Sequence, residues 1–162
     1  MKIRKAFPAV VVGLGIAAAI GAFNLNSKSG IDPVNKDAAG RALRGYDAVA
    51  YFREGRASEG RTEFTHTWNG AHWLFESAEH RDAFAREPGA YAPQYGGYCS
   101  YAVAHGYTAD ADPQAWKIVN GKLYLNYNVE VRKLWEQDIP GFLQKSEQNW
   151  PQFLKHKPEH KG

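Results

Sequence analysis

Two Asn-Gly dipeptides, each set between short runs of apolar and aromatic residues, constrain the fold of this chain most strongly. They are Asn69-Gly70 and Asn120-Gly121. Asn-Gly tolerates the positive φ angles of a type I′ turn, which matches the twist of two paired strands. The pattern therefore predicts two β-hairpins, one over 64–75 and one over 116–127.

A helix signal follows each predicted hairpin. Ser77 and Asn128 are residue types that cap helix N-termini, and the helices are predicted over 78–86 and from Asn128 to about Gln137. The two halves also share residues at a constant spacing. Under a shift of 51 residues, identical residues coincide in these pairs: Asn69 and Asn120, Gly70 and Gly121, Leu74 and Leu125, Glu79 and Glu130, Arg81 and Arg132.

A second offset aligns the segments in front of the hairpins. Under a shift of 52 residues, Gly45-Tyr46 falls on Gly97-Tyr98, and Asp47 then corresponds to Cys99. Asp47 is predicted to cap a short helix over 48–52. Two copies of such a unit commonly pack about a pseudo-two-fold axis, so we expect Asp47 and Cys99 to lie in one neighbourhood.

The predicted fold class is therefore α+β. It comprises two pseudo-repeated helix, β-hairpin and helix units followed by a C-terminal helix, behind an N-terminal hydrophobic export segment. The C-terminal helix is predicted to begin at Pro140 and to end before Pro151, because proline cannot continue the hydrogen-bonding pattern of a helix interior.

The chain divides into four predicted parts. Residues 1–23 combine a basic start with an uncharged apolar run and are a signal peptide or an N-terminal membrane anchor. Residues 24–40 are a flexible linker, 41–151 the folded domain and 152–162 a polar tail. The positive-inside rule places the domain outside the cytoplasm, so the protein is predicted to be periplasmic or secreted, with the inner membrane as a partner if the segment is uncleaved.

Charge and cysteine content exclude some functions. The net charge of +3 comes from the two chain ends, and acids outnumber Lys and Arg between Gly40 and Trp150. A nucleic-acid role has no support, because phosphate binding needs clustered cations on the folded domain. Cys99 is the only cysteine, so the fold is not held by disulfides within the chain, and the thiol is free, ligating or paired between molecules.

The segment 91–107 carries the most distinctive chemistry, since it holds five tyrosines, a Gly-Gly pair and Cys99. A short helix is predicted over 98–104, with Cys99 in its first turn. The dipole there favours thiolate, which would suit a metal ligand or a nucleophile, whereas a buried cysteine would serve packing alone. Both interpretations stay open. A set of aromatic residues is also predicted to line a pocket for a small ligand: Tyr46, Tyr51, Tyr98 and Tyr101.

Several distinctive sequence motifs occur in an order that resembles the longer, exported members of the YHS-domain family. The matching motifs are GYDAVAYF, a WNG hairpin, FESAEHRDAFAREPGAYAPQYGGYCSYAVAHG and WKIVNGKLYLNYN. The resemblance covers about 42–151. It implies a YHS-type fold. Shorter, metal-associated YHS modules carry three cysteines, and the corresponding positions here are Ala50, Glu76 and His80, so a metal role would need other ligands.

The first functional hypothesis is a non-catalytic, exported YHS-type binding protein that holds a soft metal such as copper. Its candidate ligands are Cys99 and Asp47, with His80 and Glu76 as further candidates, although their spacing matches no known metal signature. One alternative is a structural or small-ligand-binding accessory domain with an inert Cys99. The other is a thiol-dependent enzyme, which would need Cys99 beside a base such as His80 or His105.

Overall fold

The computed structural model of this protein describes residues 30–155 and has the predicted α+β class. Two antiparallel hairpins alternate with short helices, and a longer helix ends the described chain. The elements occur in the order α1 (Ala50–Arg53), β1 (Arg61–Trp68), β2 (Ala71–Phe75), α2 (Ala78–Arg86), α3 (Pro88–Tyr91), α4 (Ser100–Ala104), β3 (Asp112–Val119), β4 (Lys122–Asn126), α5 (Val129–Glu136) and α6 (Ile139–Leu154).

Both predicted hairpins are confirmed, and each is closed by its Asn-Gly turn. Strand β1 pairs with β2 and β3 with β4, in two separate sheets. The turn residues have the positive φ angles that the dipeptides favour, 48° and 73° in the first hairpin and 50° and 73° in the second. Both first strands begin earlier than predicted, because pairing resumes beyond an irregularity in the register. This irregularity lies between Arg61 and Thr65 in β1 and between Asp112 and Trp116 in β3.

Local capping sets where the helices begin. The Ser77 hydroxyl accepts the His80 N–H at 3.1 Å, and the Asn128 side chain accepts the Val131 N–H at 2.8 Å. Helix α4 begins at Ser100, so Cys99 is its N-cap residue, whereas the sequence predicted a helix from Tyr98. Tyr98 stays outside because its backbone is extended, with φ −71° and ψ 160°.

Helix α6 continues through Pro151 to Leu154, so the predicted end before Pro151 is wrong. The proline removes one backbone donor, but the residues around it are held by packing. The rings of Trp150 and Phe153 are 6.3 Å apart, and Trp150 also packs against Tyr95. These contacts offset the lost hydrogen bond and keep the last turn helical.

The buried apolar residues form two clusters. The larger contains residues from both hairpins, including Trp73 and Phe75 of β2 and Leu123 and Leu125 of β4. The smaller is formed by Tyr95, Val103, Tyr124 and Trp135 and is covered by side chains of α6. Two separate two-stranded hairpins are therefore joined into one domain by shared side-chain packing rather than by a continuous sheet.

Part of the segment predicted as a linker lies on the domain. Val34 is only 2% exposed and belongs to the larger cluster, and the Asn35 N–H donates to the Gly96 carbonyl at 2.8 Å. The predicted export segment at 1–23 and the end of the predicted tail lie outside the described residues. Among helices of residues 30–155, none combines the length and apolar character needed to cross a bilayer.

Candidate metal centre

Asp47 is a fully buried carboxylate on which three segments of the chain converge. Its Oδ1 accepts the N–H groups of Val49 at 2.8 Å and Ala50 at 3.2 Å. Its Oδ2 accepts the Glu76 N–H at 2.9 Å and lies 2.7 Å from Nδ1 of His80. Asp47 therefore closes the turn that leads into α1, but Val49 is the N-cap residue and the helix covers 50–53 rather than the predicted 48–52. Asp47 also ties this turn to the end of β2 and to α2.

The His80 ring is oriented by this contact. A carboxylate only accepts hydrogen bonds, so Nδ1 of His80 is the donor to Asp47, and Nε2 is the nitrogen left to face other groups. The residue is 7% exposed, and Nε2 lies 3.6 Å from Oε1 of Glu54, which is too far for a hydrogen bond. The imidazole thus presents its second nitrogen to an acidic group near the surface.

Glu54, whose Oε1 faces this nitrogen, shares one arginine with Glu76. The hydrogen bond with Glu76 raises the pKa of Glu54, and the same bond lowers the pKa of Glu76 to about 2. Ser58 Oγ also donates to Oε2 of Glu76, and Nη2 of Arg56 lies 2.9 Å from the same oxygen. Arg56 forms a close ion pair with Glu54 as well. One guanidinium is therefore shared by two carboxyl groups.

Three of the four predicted metal ligands come together here. One ligand atom each of Asp47, Glu76 and His80 lies within 4.8 Å of the others. The Asp47 oxygens already accept four hydrogen bonds, whereas His80 Nε2 makes none within residues 30–155. The arrangement suits a cation bound through an imidazole nitrogen and carboxylate oxygens, with Asp47 holding the imidazole from behind.

Cys99 has a different set of polar neighbours. Its Sγ accepts the Tyr127 N–H at 3.2 Å and lies 3.9 Å from Oδ1 of Asn126. Burial raises the pKa of the thiol, and this is only partly opposed by backbone N–H groups, including that of Ala102. The helix start therefore does not produce the lowered pKa that the sequence suggested for this position.

The bases considered for a thiol enzyme are engaged elsewhere. His80 Nδ1 is bound to Asp47, and His105 Nδ1 lies 2.8 Å from the Tyr101 carbonyl of its own helix. A cavity of about 260 Å³ adjoins Cys99, and its lining is mainly apolar: Tyr101, Ala102, Tyr107, Ala109, Tyr127 and Val131.

The four tyrosines predicted to form a ligand pocket divide between the two clusters. Tyr51 is buried in the larger one, where its hydroxyl donates to the Pro113 carbonyl at 3.0 Å, and Tyr46 packs against the same cluster. Tyr98 and Tyr101 pack against the smaller cluster. Tyr101 also lines the cavity beside Cys99.

The surroundings of Asp47 and Cys99 share a backbone pattern. The Asp47 N–H donates to the Ser58 carbonyl at 2.8 Å, and the Cys99 N–H donates to the Ala109 carbonyl at 2.9 Å. Three consecutive left-handed residues lie shortly before each. Their φ angles are 52°, 54° and 85° at Leu43, Arg44 and Gly45, and 54°, 59° and 82° at Tyr95, Gly96 and Gly97.

Glu54, Arg56 and Ser58 were missed as site residues. They lie in a loop whose charge and glycine content are visible in the sequence, but no spacing pattern connects them to His80. Their positions depend on how the loop after α1 folds against the start of α2. Comparison with known protein families, with curated proteins and with solved structures found no match to this chain.

Proposed function

We propose that this chain is an exported, non-catalytic binding protein of the YHS type, and that its binding site is a divalent cation site at Nε2 of His80 and the carboxyl groups of Glu76 and Glu54. The observation that carries the proposal is the buried Asp47–His80 hydrogen bond of 2.7 Å. It orients an imidazole so that its free nitrogen faces Glu54, and Glu54 shares Arg56 with Glu76. A carboxylate behind a ligating histidine fixes the tautomer and makes the ligating nitrogen more basic.

The donor set indicates the class of metal. Imidazole nitrogen suits Zn²⁺, Cu²⁺, Ni²⁺ and Fe²⁺, whereas Ca²⁺ and Mg²⁺ favour sites made only of oxygen. Cu(I) prefers thiolate or thioether ligands, and the group of Asp47, Glu76 and His80 contains none. We therefore expect a borderline divalent ion such as Zn²⁺ or Cu²⁺ to bind most tightly.

The two-copy organisation is part of this proposal. Three features support two copies of one unit, in which Cys99 corresponds to Asp47. The two hairpins have matching registers, each copy has a triplet of left-handed residues, and the N–H groups of Asp47 and Cys99 make matching contacts. At the shift of 51 residues, Tyr127 corresponds to Glu76 and Val131 to His80. The first copy would hold the cation, and the second has apolar groups in the equivalent places.

The cavity beside Cys99 favours a second candidate function, the binding of a small apolar ligand. Its lining is mostly aromatic and aliphatic, and the Cys99 thiol at its edge stays protonated because burial raises its pKa. A soft-metal site that joins Cys99 to Asp47 remains a third proposal. It would require loss of the thiol proton on binding, so its affinity would rise with pH.

The basic start and apolar run of residues 1–23 support export and a role outside the cytoplasm, where the chain would be released or held at the inner membrane by this segment. A fusion of alkaline phosphatase, which is active only after export, to the C-terminus should be active. A second C-terminal fusion, to a reporter that works only in the cytoplasm, should be inactive. The reverse result would refute export.

The cation site is tested by titrating tag-free protein with Zn²⁺ and Cu²⁺ in a calorimeter. A background with His156→Ala and His160→Ala removes a histidine pair that could bind metal independently. His80→Gln replaces the imidazole by an amide, which can donate a hydrogen bond to Asp47 but offers no imidazole nitrogen to a metal. Its affinity should fall by at least the roughly 10–100-fold that loss of an outer-shell partner causes.

Glu76→Gln should weaken binding in the same way, because it removes a carboxylate charge next to His80. Glu79→Gln is the matched control. Glu79 lies next to His80 on α2, but its side chain is 80% exposed and it pairs with Arg53 instead. Equal affinities in the wild type, His80→Gln and Glu76→Gln would place any binding elsewhere. No binding by the wild type would refute the proposed function.

A further inference from the structure

A side chain of the protein already occupies the cation position between the two glutamates. Nη2 of Arg56 lies 2.9 Å from Oε2 of Glu76 and also contacts Oε2 of Glu54. Oε1 of Glu54 in turn lies 3.6 Å from Nε2 of His80. A metal ion that binds these oxygens would therefore meet the guanidinium charge at contact distance, where the repulsion between like charges is large.

We propose that Arg56 is a resident counter-ion that a divalent cation must displace, so that binding is an exchange of one cation for another. This inference rests on the cation site proposed above and adds the step that controls access to it. In this exchange the Arg56 guanidinium moves from Glu54 and Glu76 into water. The incoming ion then binds the freed carboxylate oxygens together with Nε2 of His80.

The exposure of the three side chains supports such an exchange. The Arg56 side chain is 54% exposed, whereas those of Glu54 and Glu76 are 28% and 24% exposed. The arginine can therefore move into solvent while the carboxyl groups stay in place. Glu76 is also held by the Ser58 hydroxyl, which remains as a hydrogen-bond donor after Arg56 has left.

The exchange also sets a threshold for binding. Displacement of Arg56 lowers the apparent affinity of every ion that takes the carboxylate oxygens, and only an ion that also bonds strongly to imidazole gains enough to offset this cost. Mg²⁺ and Ca²⁺ gain little from nitrogen, so we expect them to bind weakly, whereas Zn²⁺ should still bind.

The experiment compares Zn²⁺ affinity in the wild type, Arg56→Gln and Arg53→Gln by calorimetry. Arg53→Gln is the matched control, because it removes a nearby arginine that pairs with the exposed Glu79. We expect Arg56→Gln to bind Zn²⁺ about tenfold more tightly than the wild type, a typical size for the coupling between two binding events. Arg53→Gln should match the wild type, and Arg56→Lys should lie between wild type and Arg56→Gln.

The outcomes separate this inference from the proposed function. If the wild type and Arg56→Gln bind equally and His80→Gln does not bind, the cation site stands and the exchange is wrong. Weaker binding by Arg56→Gln would also overturn the exchange, because Arg56 would then support the site. If neither the wild type nor Arg56→Gln binds any of the metals, the proposed function itself falls.

A measurement on the wild type keeps the test valid if Arg56→Gln does not fold. The Nε–Hε group of Arg56 gives an NMR signal that can be followed during addition of Zn²⁺. Exchange predicts that this signal moves to the position of a solvent-exposed arginine while the signal of Arg53 stays unchanged. A Zn²⁺-saturated protein in which the Arg56 signal has not moved would contradict displacement.

Discussion

Nδ1 of His80 lies 2.7 Å from Oδ2 of Asp47, and both side chains are buried. The contact joins helix α2 to the turn in front of α1, two segments with β1 and β2 between them in the chain. Because Asp47 also accepts three backbone N–H groups, the pair has a structural role whether or not a metal binds nearby. The same hydrogen bond can stabilise the fold and orient a ligand.

Replacement of Asp47 by Ala should strongly destabilise the protein. It leaves three backbone donors and His80 Nδ1 without their acceptor, so we expect a loss of about 3–5 kcal/mol in the free energy of unfolding. Urea denaturation measures this loss. Asp82→Asn is the control, because the Asp82 side chain is 53% exposed and pairs with the neighbouring Arg81. A loss below about 1 kcal/mol in Asp47→Ala would show that the hydrogen bonds are replaced by water.

The parts of the fold that could be predicted from sequence are those set by local chemistry. Asn-Gly fixes a turn through its own φ angles, and Ser77 and Asn128 cap helices through N–H groups three residues away. The end of α6 could not be predicted in this way. Pro151 is a local signal for helix termination, and it is overridden by the packing of Trp150 and Phe153.

The candidate site was predictable only in part. Glu76 and His80 were candidates because they fall on the cysteine positions of the YHS modules that the sequence resembles, and Asp47 because it corresponds to Cys99 at the shift of 52 residues. Glu54 and Arg56 carry no such signal, since their role depends on the tertiary position of a loop. The pairing of Asp47 with Cys99 stays a prediction. The polar contacts of the Asp47 side chain are with His80 and with the backbone of its own turn and Glu76, whereas the Cys99 side chain contacts Asn126 and Tyr127.

Two glycines with similar φ angles should respond very differently to replacement by alanine. A Cβ at Gly96 would lie 2.1 Å from the Pro33 carbonyl oxygen, whereas a Cβ at Gly70 meets nothing within 4 Å. We expect Gly70→Ala to cost about 1 kcal/mol from left-handed strain alone. Gly96→Ala should cost at least about 3 kcal/mol, because it also pushes the segment containing Val34 off the domain.

Thermal or urea unfolding of both glycine variants provides the measurement. Limited proteolysis then reports on the segment 30–40, which should become susceptible to cleavage in Gly96→Ala but not in Gly70→Ala. Equal stability losses in the two variants would mean that residues 30–40 contribute nothing to the stability of the fold. Glycine would then be needed at position 96 only because of its positive φ angle.

The Cys99 thiol should react slowly with alkylating reagents in the native protein. It is 1% exposed, and burial raises its pKa, so both access and thiolate content are low. Iodoacetamide labelling should therefore accelerate greatly when urea is added through the unfolding transition. Rapid labelling in native buffer would instead favour the thiol-dependent enzyme.

Cys99→Ser should lower the free energy of unfolding by about 1–3 kcal/mol, since a buried hydroxyl is costly unless it forms good hydrogen bonds to the Tyr127 N–H and Asn126 Oδ1 that lie near Sγ. Zn²⁺ affinity should be unchanged in this variant, because Cys99 is not in the group formed by Asp47, Glu76 and His80. A selective loss of copper binding without loss of stability would support the soft-metal proposal instead.

Tyr51 should make the protein sensitive to alkali. Burial raises the pKa of its hydroxyl far above the ordinary value of 10.0, and this hydroxyl donates to the Pro113 carbonyl at 3.0 Å. In the unfolded chain the same hydroxyl ionises near pH 10. The stabilisation from the neutral, buried form is therefore complete below about pH 10 and is lost as the pH rises, because only the unfolded state releases the proton.

In Tyr51→Phe the free energy of unfolding should be lower near neutral pH, because the hydrogen bond to Pro113 is gone, but it should fall less steeply above pH 10. Each such group contributes up to about 1.4 kcal/mol per pH unit to the slope of the unfolding free energy against pH. The slope for Tyr51→Phe should therefore be shallower by about this amount. Trp116→Phe is the control, since it changes the ring that packs 5.3 Å from Tyr51 without removing a titrating group. It should lower stability at every pH and keep the slope. If Tyr51→Phe and the wild type lose stability equally between pH 10 and 11.5, Tyr51 ionises in the folded protein and its hydroxyl is not held by Pro113.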